Sequence, residues 1–280
     1  MSRVVVDDAR FPSAMAAMPD GGFVYAERLT GDVRLVTPDG RLVSEPLVRL
    51  DVGVTGEQRG LLGLAADADG RVFASWTDVD ERLVVGEVTG GSVRIVWLGP
   101  PSADRANGGR IAFAPDGSIV IGIGDLLDPA AAADPRSPNG KLLRLDPDGV
   151  AEQAPEVISS GWNNPFAFTF TPAGALWVAD NAPVEEPERF ARGDILGAPA
   201  HVSRLPPHGV PTGLAALGEH RFLLCTYLTR QLRIVTVDDL GLAELGAPLA
   251  ADCSLGVAIL ADGSVLYANE TQIRELLASP

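Results

Sequence analysis

A strand–turn–strand unit recurs six times along this chain. A unit of that kind cannot bury its apolar faces unless several copies pack side by side. The copies are AMAAMPDGGFVYAE from Ala14, LLGLAADADGRVFASW from Leu61, RIAFAPDGSIVIGIGD from Arg110, PFAFTFTPAGALWVAD from Pro165, GLAALGEHRFLLCTY from Gly213 and LGVAILADGSVLYANE from Leu255. Their turns lie roughly forty to sixty residues apart, a spacing that suits propeller blades and is too long for most helical repeats. Most turns carry Asp-Gly or Ala-Gly between β-rich runs, as a tight hairpin requires. Runs such as Asp32 to Val36 and Lys141 to Asp146 supply a third strand per blade. No stretch sustains a helical period. The expected fold is therefore all-β, a six-bladed β-propeller formed by residues 1–280 as one domain.

A closed ring has to hide its sheet edges. The N-terminal SRVVVDD is expected to pair with the last blade after TQIREL and so lock first to last. With 46% hydrophobic residues the chain can bury a large core, and the Pro/Ala-rich segment from Asp125 to Gly140 reads as a long loop inside the third blade.

The net charge of −15 is spread along the chain, which disfavours nucleic acid and anionic membranes, since both need a basic footprint. Among the 22 basic residues only Lys141 is lysine, a bias that points to a GC-rich, actinobacterial type of genome. The start MSRVVVDDAR has no apolar core of an export signal, and no apolar run approaches spanning length. Cys225 and Cys253 fall in two different expected blades, where a disulfide is possible; the expected setting is cytoplasmic, with both reduced and packed as small apolar residues.

The segments MPDGGFVYAERLTGDVRLV, GEQRGLLGLA, NGGRIAFAPDGSIVIGIGD, GKLLRLDPDG and GWNNPFAFTFTPAGALWVADNAP carry a resemblance that covers nearly the whole chain. They resemble the signatures of the soluble pyrroloquinoline quinone (PQQ)-dependent sugar dehydrogenases, the glucose/sorbosone dehydrogenase family. The resemblance implies a template in which a histidine two residues before Gly-Gly-Arg takes a proton as hydride moves from sugar to quinone. That position is Ala106 in ANGGR, and alanine accepts no proton. The family also holds its tricarboxylate cofactor with cations. Their expected places are Asn163 in GWNNP, Thr229 after the fifth hairpin, and Cys253 and Leu255 before the last, although a one-residue slip at Thr229 would bring in Arg230. Each lost charge-assisted contact costs on the order of 1.5–3 kcal/mol, so PQQ is not the expected cofactor. The family's calcium site uses carbonyls around a Gly-Pro step, and here DNAP from Asp180 to Pro183 has Ala182 in place of that glycine. Calcium with PQQ remains the alternative cofactor reading.

Propeller geometry puts the lead-in loops GEQRG, RANGG, GWNNP, PHGVPTG and DCSLG on one rim with the second-strand ends Glu27, Asp78, Asp125, Asp180, Tyr227 and Glu270. Such acids can bind a metal, hold a cation or move a proton, and they can equally cap strand ends; whether a metal is held stays open. Asp125, Asp180 and His208 are the candidate catalytic groups. Gln58, Arg59, Asn107, Trp162, Asn163, Asn164 and Tyr227 are the candidate substrate-binding residues. His201 is a further base, and His220 belongs to a hairpin on the opposite face. The expected activity is a non-redox step on a small organic molecule, of lyase, isomerase, cyclase or hydrolase type, in bacterial specialised metabolism. The alternatives are a PQQ-dependent aldose dehydrogenase, a metal-dependent lactonase, and a pure binding module.

Overall fold

The computed structural model describes residues 1–183, 186–195, 202–206 and 208–277. It contains six four-stranded antiparallel sheets, each strand paired with its neighbour. The blades run from Pro12 to Arg49, Leu61 to Pro101, Gly108 to Ser160, Ala167 to Arg204, Pro211 to Ala250, and Gly256 to Leu276. The sixth has only three strands from that stretch, and Ser2–Val6 supplies its outer one. Ser2 faces Leu276 and Val6 faces Ile273, so the ring closes as expected. Beyond the main-chain pairing, the Arg3 side chain reaches its register partner Glu275, and Gln272 donates to Asp7.

The hairpins turn on glycine where the sequence asks for it. Gly21, Gly70, Gly117, Gly174 and Gly263 all have φ between 83° and 95°, a region that other L-residues enter only with strain. Gly213 is needed for a different reason. A Cβ there would lie 2.7 Å from the amide nitrogen of Val257, because the inner strands of blades five and six meet main chain to main chain.

The core is not one mass but six apolar layers, one at each joint between successive blades. Val24 and Ala26 meet Leu61 and Leu64 between the first two blades, and Trp177, Phe190 and Phe222 stack between the fourth and fifth. Each fully buried Val, Leu, Ile or Phe in such a layer contributes about 1.5–3 kcal/mol. The only helix longer than a single 3₁₀ turn among the described residues is Pro129–Ala133, which lies in the long third-blade loop and is capped by Asp128.

One expectation fails here. Cys225 and Cys253 are not reduced; they form a disulfide between blades five and six, with Cα atoms 5.6 Å apart. Assigning them to different blades was correct, but successive blades face each other, and both side chains fall in the layer between them. Bonds of this kind persist in oxidising compartments. The cysteines therefore give no support to a reducing, cytoplasmic setting. No helix among the described residues is long and apolar enough to cross a membrane.

The bond ties positions 28 residues apart, for which loop-closure entropy predicts about 3–4 kcal/mol. Protein purified without reductant should show no thiol reactive towards Ellman reagent when unfolded. Cys225→Ser with Cys253→Ser should melt well below the parent; equal melting would show that the bond does not form.

Candidate functional site

The lead-in loops and second-strand ends converge on the mouth of the central channel, opposite the hairpins. They enclose a cavity of about 380 Å³ to which all six blades contribute. Phe11, Leu62, Phe166, Val210, Pro211 and Leu255 make its walls mainly apolar. The polar groups are Arg28, Glu57, Gln58, Asn164, Tyr227, Ser13 and Thr212.

Two wall residues are held in an unfavourable backbone conformation. Phe11 and Val210 precede the inner strands of blades one and five, and each has φ of 56°. The equivalent place in blade two is Gly60, φ 116°, where no side chain is at stake. A β-branched residue at positive φ is a genuine outlier, and such strain costs of order 1–3 kcal/mol. The main chain enforces it: Phe11 donates to the Glu270 carbonyl and accepts from the Arg28 amide, and Tyr227 donates to the Val210 carbonyl at 2.9 Å. The outcome is an apolar side chain turned into the mouth at both places.

Arg110, from the GGR motif, lies across the channel below the cavity. It is almost fully buried, stacks on Phe166 and donates to main-chain carbonyls of Phe166, Ser13 and Thr212, which belong to blades four, one and five. Burial without a carboxylate partner pulls its pKa down to about 10.

Of the residues singled out from sequence, Gln58, Asn164 and Tyr227 line the cavity. The Gln58 oxygen accepts from the Ala106 amide at 2.8 Å, which leaves its Nε2 without a protein partner among the described residues. Asn164 Oδ1 accepts from the Gly108 amide.

The others stand behind the wall or beside it. Asn107 is buried and saturated by the Ala103 amide and the carbonyls of Ala103 and Gln58. Trp162 is buried in the layer between blades three and four and donates to Ser159. Asn163 donates to Asp125 at 2.7 Å, and Asp125 also accepts from the Leu127 amide, so the pair pins the long loop to the GWNNP turn. Asp180 is fully buried and accepts from Arg189 and from the amides of Asn163 and Asn164. Burial pushes its carboxyl pKa up, against the pull of Arg189 and those amides. Arg59 is tied to the carbonyls of Thr55, Ser102 and Ala103 and to Glu81. His208 is exposed in its loop and is not part of the cavity wall. His220 is exposed in the hairpin, as expected, and His201 lies outside the described residues.

The remaining rim acids are also occupied: Glu27 receives Arg10 and Thr30, Asp78 the Arg82 amide, and Glu270 a two-pronged contact from Arg230. These carboxylates thus hold strand ends and loops. Sequence reasoning missed Phe11, Arg28, Glu57, Phe166 and Val210. The available signal for two of them was adjacency, since Arg28 follows the strand end Glu27 and Glu57 precedes Gln58 in the quoted loop.

Comparison with known proteins sets this mouth in context. Residues 9–190 match the family described as Glucose / Sorbosone dehydrogenase. The chain belongs to the glucose/sorbosone dehydrogenase family. Among solved structures it is similar to an oxidoreductase of Thermus thermophilus described as a glucose dehydrogenase, with 25% identity, a TM-score of 0.85 and 99% of each chain covered. The PQQ-bound aldose sugar dehydrogenase of Streptomyces coelicolor is 21% identical, with a TM-score of 0.79 over 98% of this chain and 97% of that one, and shows likeness of fold. Mouse Hedgehog-interacting protein is 27% identical over 212 residues, which cover 58% of this chain and 30% of that protein. This chain therefore spans under a third of that relative's length.

The mouth does not match the cofactor that the family resemblance implies. A tricarboxylate needs several cations, and among the described residues Arg28 is the only basic one in the cavity wall, with Glu57 also present. Arg230 is engaged by Glu270, Cys253 is in the disulfide, Leu255 is part of the apolar wall, and Thr229 bonds to Thr226. At the implied calcium site, the Arg189 guanidinium already sits on Asp180.

Asp180→Asn removes one member of an ion pair whose acid is sealed from water. It is expected to lower stability by about 3 kcal/mol, near the low end for buried pairs because Arg189 is partly exposed. Thermal melting should fall by roughly 5–10 °C. An unchanged melt would overturn the holding role of Asp180.

Proposed function

We propose that this chain binds a small organic molecule in the mouth cavity and transforms it without a quinone, in a redox-neutral step. The observation that carries this reading is the charge of the cavity: mainly apolar walls with one basic residue among the described ones, at a place where a tricarboxylate would need several. The family histidine position supports it, since Ala106 carries no proton.

Within this reading the groups that move a proton are those that reach the ligand. Glu57 at the lip and Tyr227 in the wall are such groups, and Arg28 beside Tyr227 stabilises negative charge that develops on the ligand or on the phenol. Asp125 and Asp180 act at one remove by holding the turn that carries Asn164, and His208 stands outside. The chemistry available is proton abstraction and return, as in a lyase, isomerase, cyclase or hydrolase. The disulfide supports an oxidising compartment as the place of action.

Calorimetric titration with PQQ, with and without calcium, tests the reading on the intact protein. No binding at micromolar quinone is expected, nor any reduction of a redox dye when aldoses are added. Micromolar binding with calcium, followed by sugar-dependent dye reduction, would restore the dehydrogenase.

A further inference from the structure

The lining of the mouth cavity narrows the ligand class further, an inference that rests on the quinone-free reading above. We infer that the ligand is a small monocarboxylate with an apolar body, its carboxylate bound by Arg28 and Tyr227.

Arg28 carries the argument. Its Nη1 donates to the Glu57 carbonyl at 3.0 Å, and one face of the guanidinium lies on the Phe11 ring with its carbon 4.2 Å from the centroid. Its Nε is buried and has no acceptor, and Nη2 has no protein acceptor among the described residues. With Nε sealed from the cavity, Nη2 is the nitrogen left to donate a charge-assisted hydrogen bond to a carboxylate. Burial lowers its pKa, and no carboxylate is among the influences on it. A half-buried guanidinium with no carboxylate partner among the described residues is left in deficit, and an anionic ligand offsets its charge.

The rest of the wall sets the number of charges and the shape of the ligand. Glu57 stands at the outer lip, about two-thirds exposed, with Arg105 at 3.9 Å, so its charge is largely met by solvent and by that arginine. Deeper in, Phe11, Leu62, Phe166, Val210 and Leu255 offer no partner to a second anionic group. A phosphate dianion would ask for a second cation or a cradle of amides, whereas a single carboxylate is matched by one guanidinium. A cavity of about 380 Å³ holds a molecule of about ten to fifteen non-hydrogen atoms, with the Gln58 amide free to donate to a polar substituent.

The test is calorimetry of the whole protein against aryl- and alkyl-monocarboxylates of that size, 3-phenylpropionate among them, each paired with its primary amide. At least one acid should bind with its amide at least about tenfold weaker. Arg28→Gln should bring that acid to the level of its amide. Tyr227→Phe, a half-exposed position whose change leaves packing intact, should weaken the acid several-fold and leave the amide unaffected. Equal binding of acids and amides, binding indifferent to Arg28→Gln in a variant with the parent's melting curve, or no acid bound at all would overturn the inference. PQQ titrated in parallel separates the two failures: quinone binding overturns the quinone-free reading, and its absence with no acid bound overturns the monocarboxylate alone.

Discussion

Ring closure is the constraint on which the rest of this structure depends. Six blades can bury six apolar layers only if the last blade meets the first, and here the meeting uses Ser2–Val6 as the outer strand of the final sheet. The strand is bonded along its length to Ile273–Leu276, so the two ends of the chain form one cooperative unit and no inner blade is left with a bare face. Arg110 serves the same end along the axis. Its buried guanidinium binds carbonyls of three other blades, and a charge placed there without those acceptors would be prohibitively costly. Lateral closure and the axial tie together fix where each inner strand begins, and the mouth cavity is the space that those beginnings enclose.

A frame fixed in this way can hold local strain at the mouth. Phe11 and Val210 keep a left-handed backbone because the amides and carbonyls on either side are bonded to the neighbouring strand ends. Blade two solves the same turn with Gly60 and puts no side chain into the mouth there. The blades differ in what this turn presents: Phe11 and Val210 put an apolar side chain into the wall at the cost of strain, and Gly60 puts none there.

The fold could be read from sequence because its determinants are local and repeated. Turn glycines, alternating apolar strands and a leftover N-terminal strand each point to the same ring. The rim was also located correctly, and Gln58, Asn164 and Tyr227 do line the cavity. Choosing among rim residues from sequence is limited for a physical reason. A carboxylate at a strand end looks the same in sequence whether it faces a ligand or the amides of the next loop, and Asp125 and Asp180 face amides. Trp162 and Asn107 likewise have their polar groups satisfied behind the wall. Arg28 was passed over because what distinguishes it is the absence of a partner, and an absence of that kind exists only in three dimensions. The cysteines went wrong in the same way, since blade adjacency, not sequence spacing, put them 5.6 Å apart.

The positions where this chain departs from the family pattern have been taken over by other interactions, which bears on how the departure should be understood. Cys253, at an expected cation position, joins two blades covalently; Leu255 closes the apolar wall; Asn163 binds Asp125; Arg189 neutralises Asp180. A site that had merely decayed would leave buried acids and rim loops without partners, and each would cost on the order of 1–3 kcal/mol. Here those acids are bonded, and among the described residues Arg28 is the one in the cavity wall that keeps a buried polar nitrogen without an acceptor. What the departure leaves at the mouth is an unneutralised guanidinium beside a mainly apolar wall.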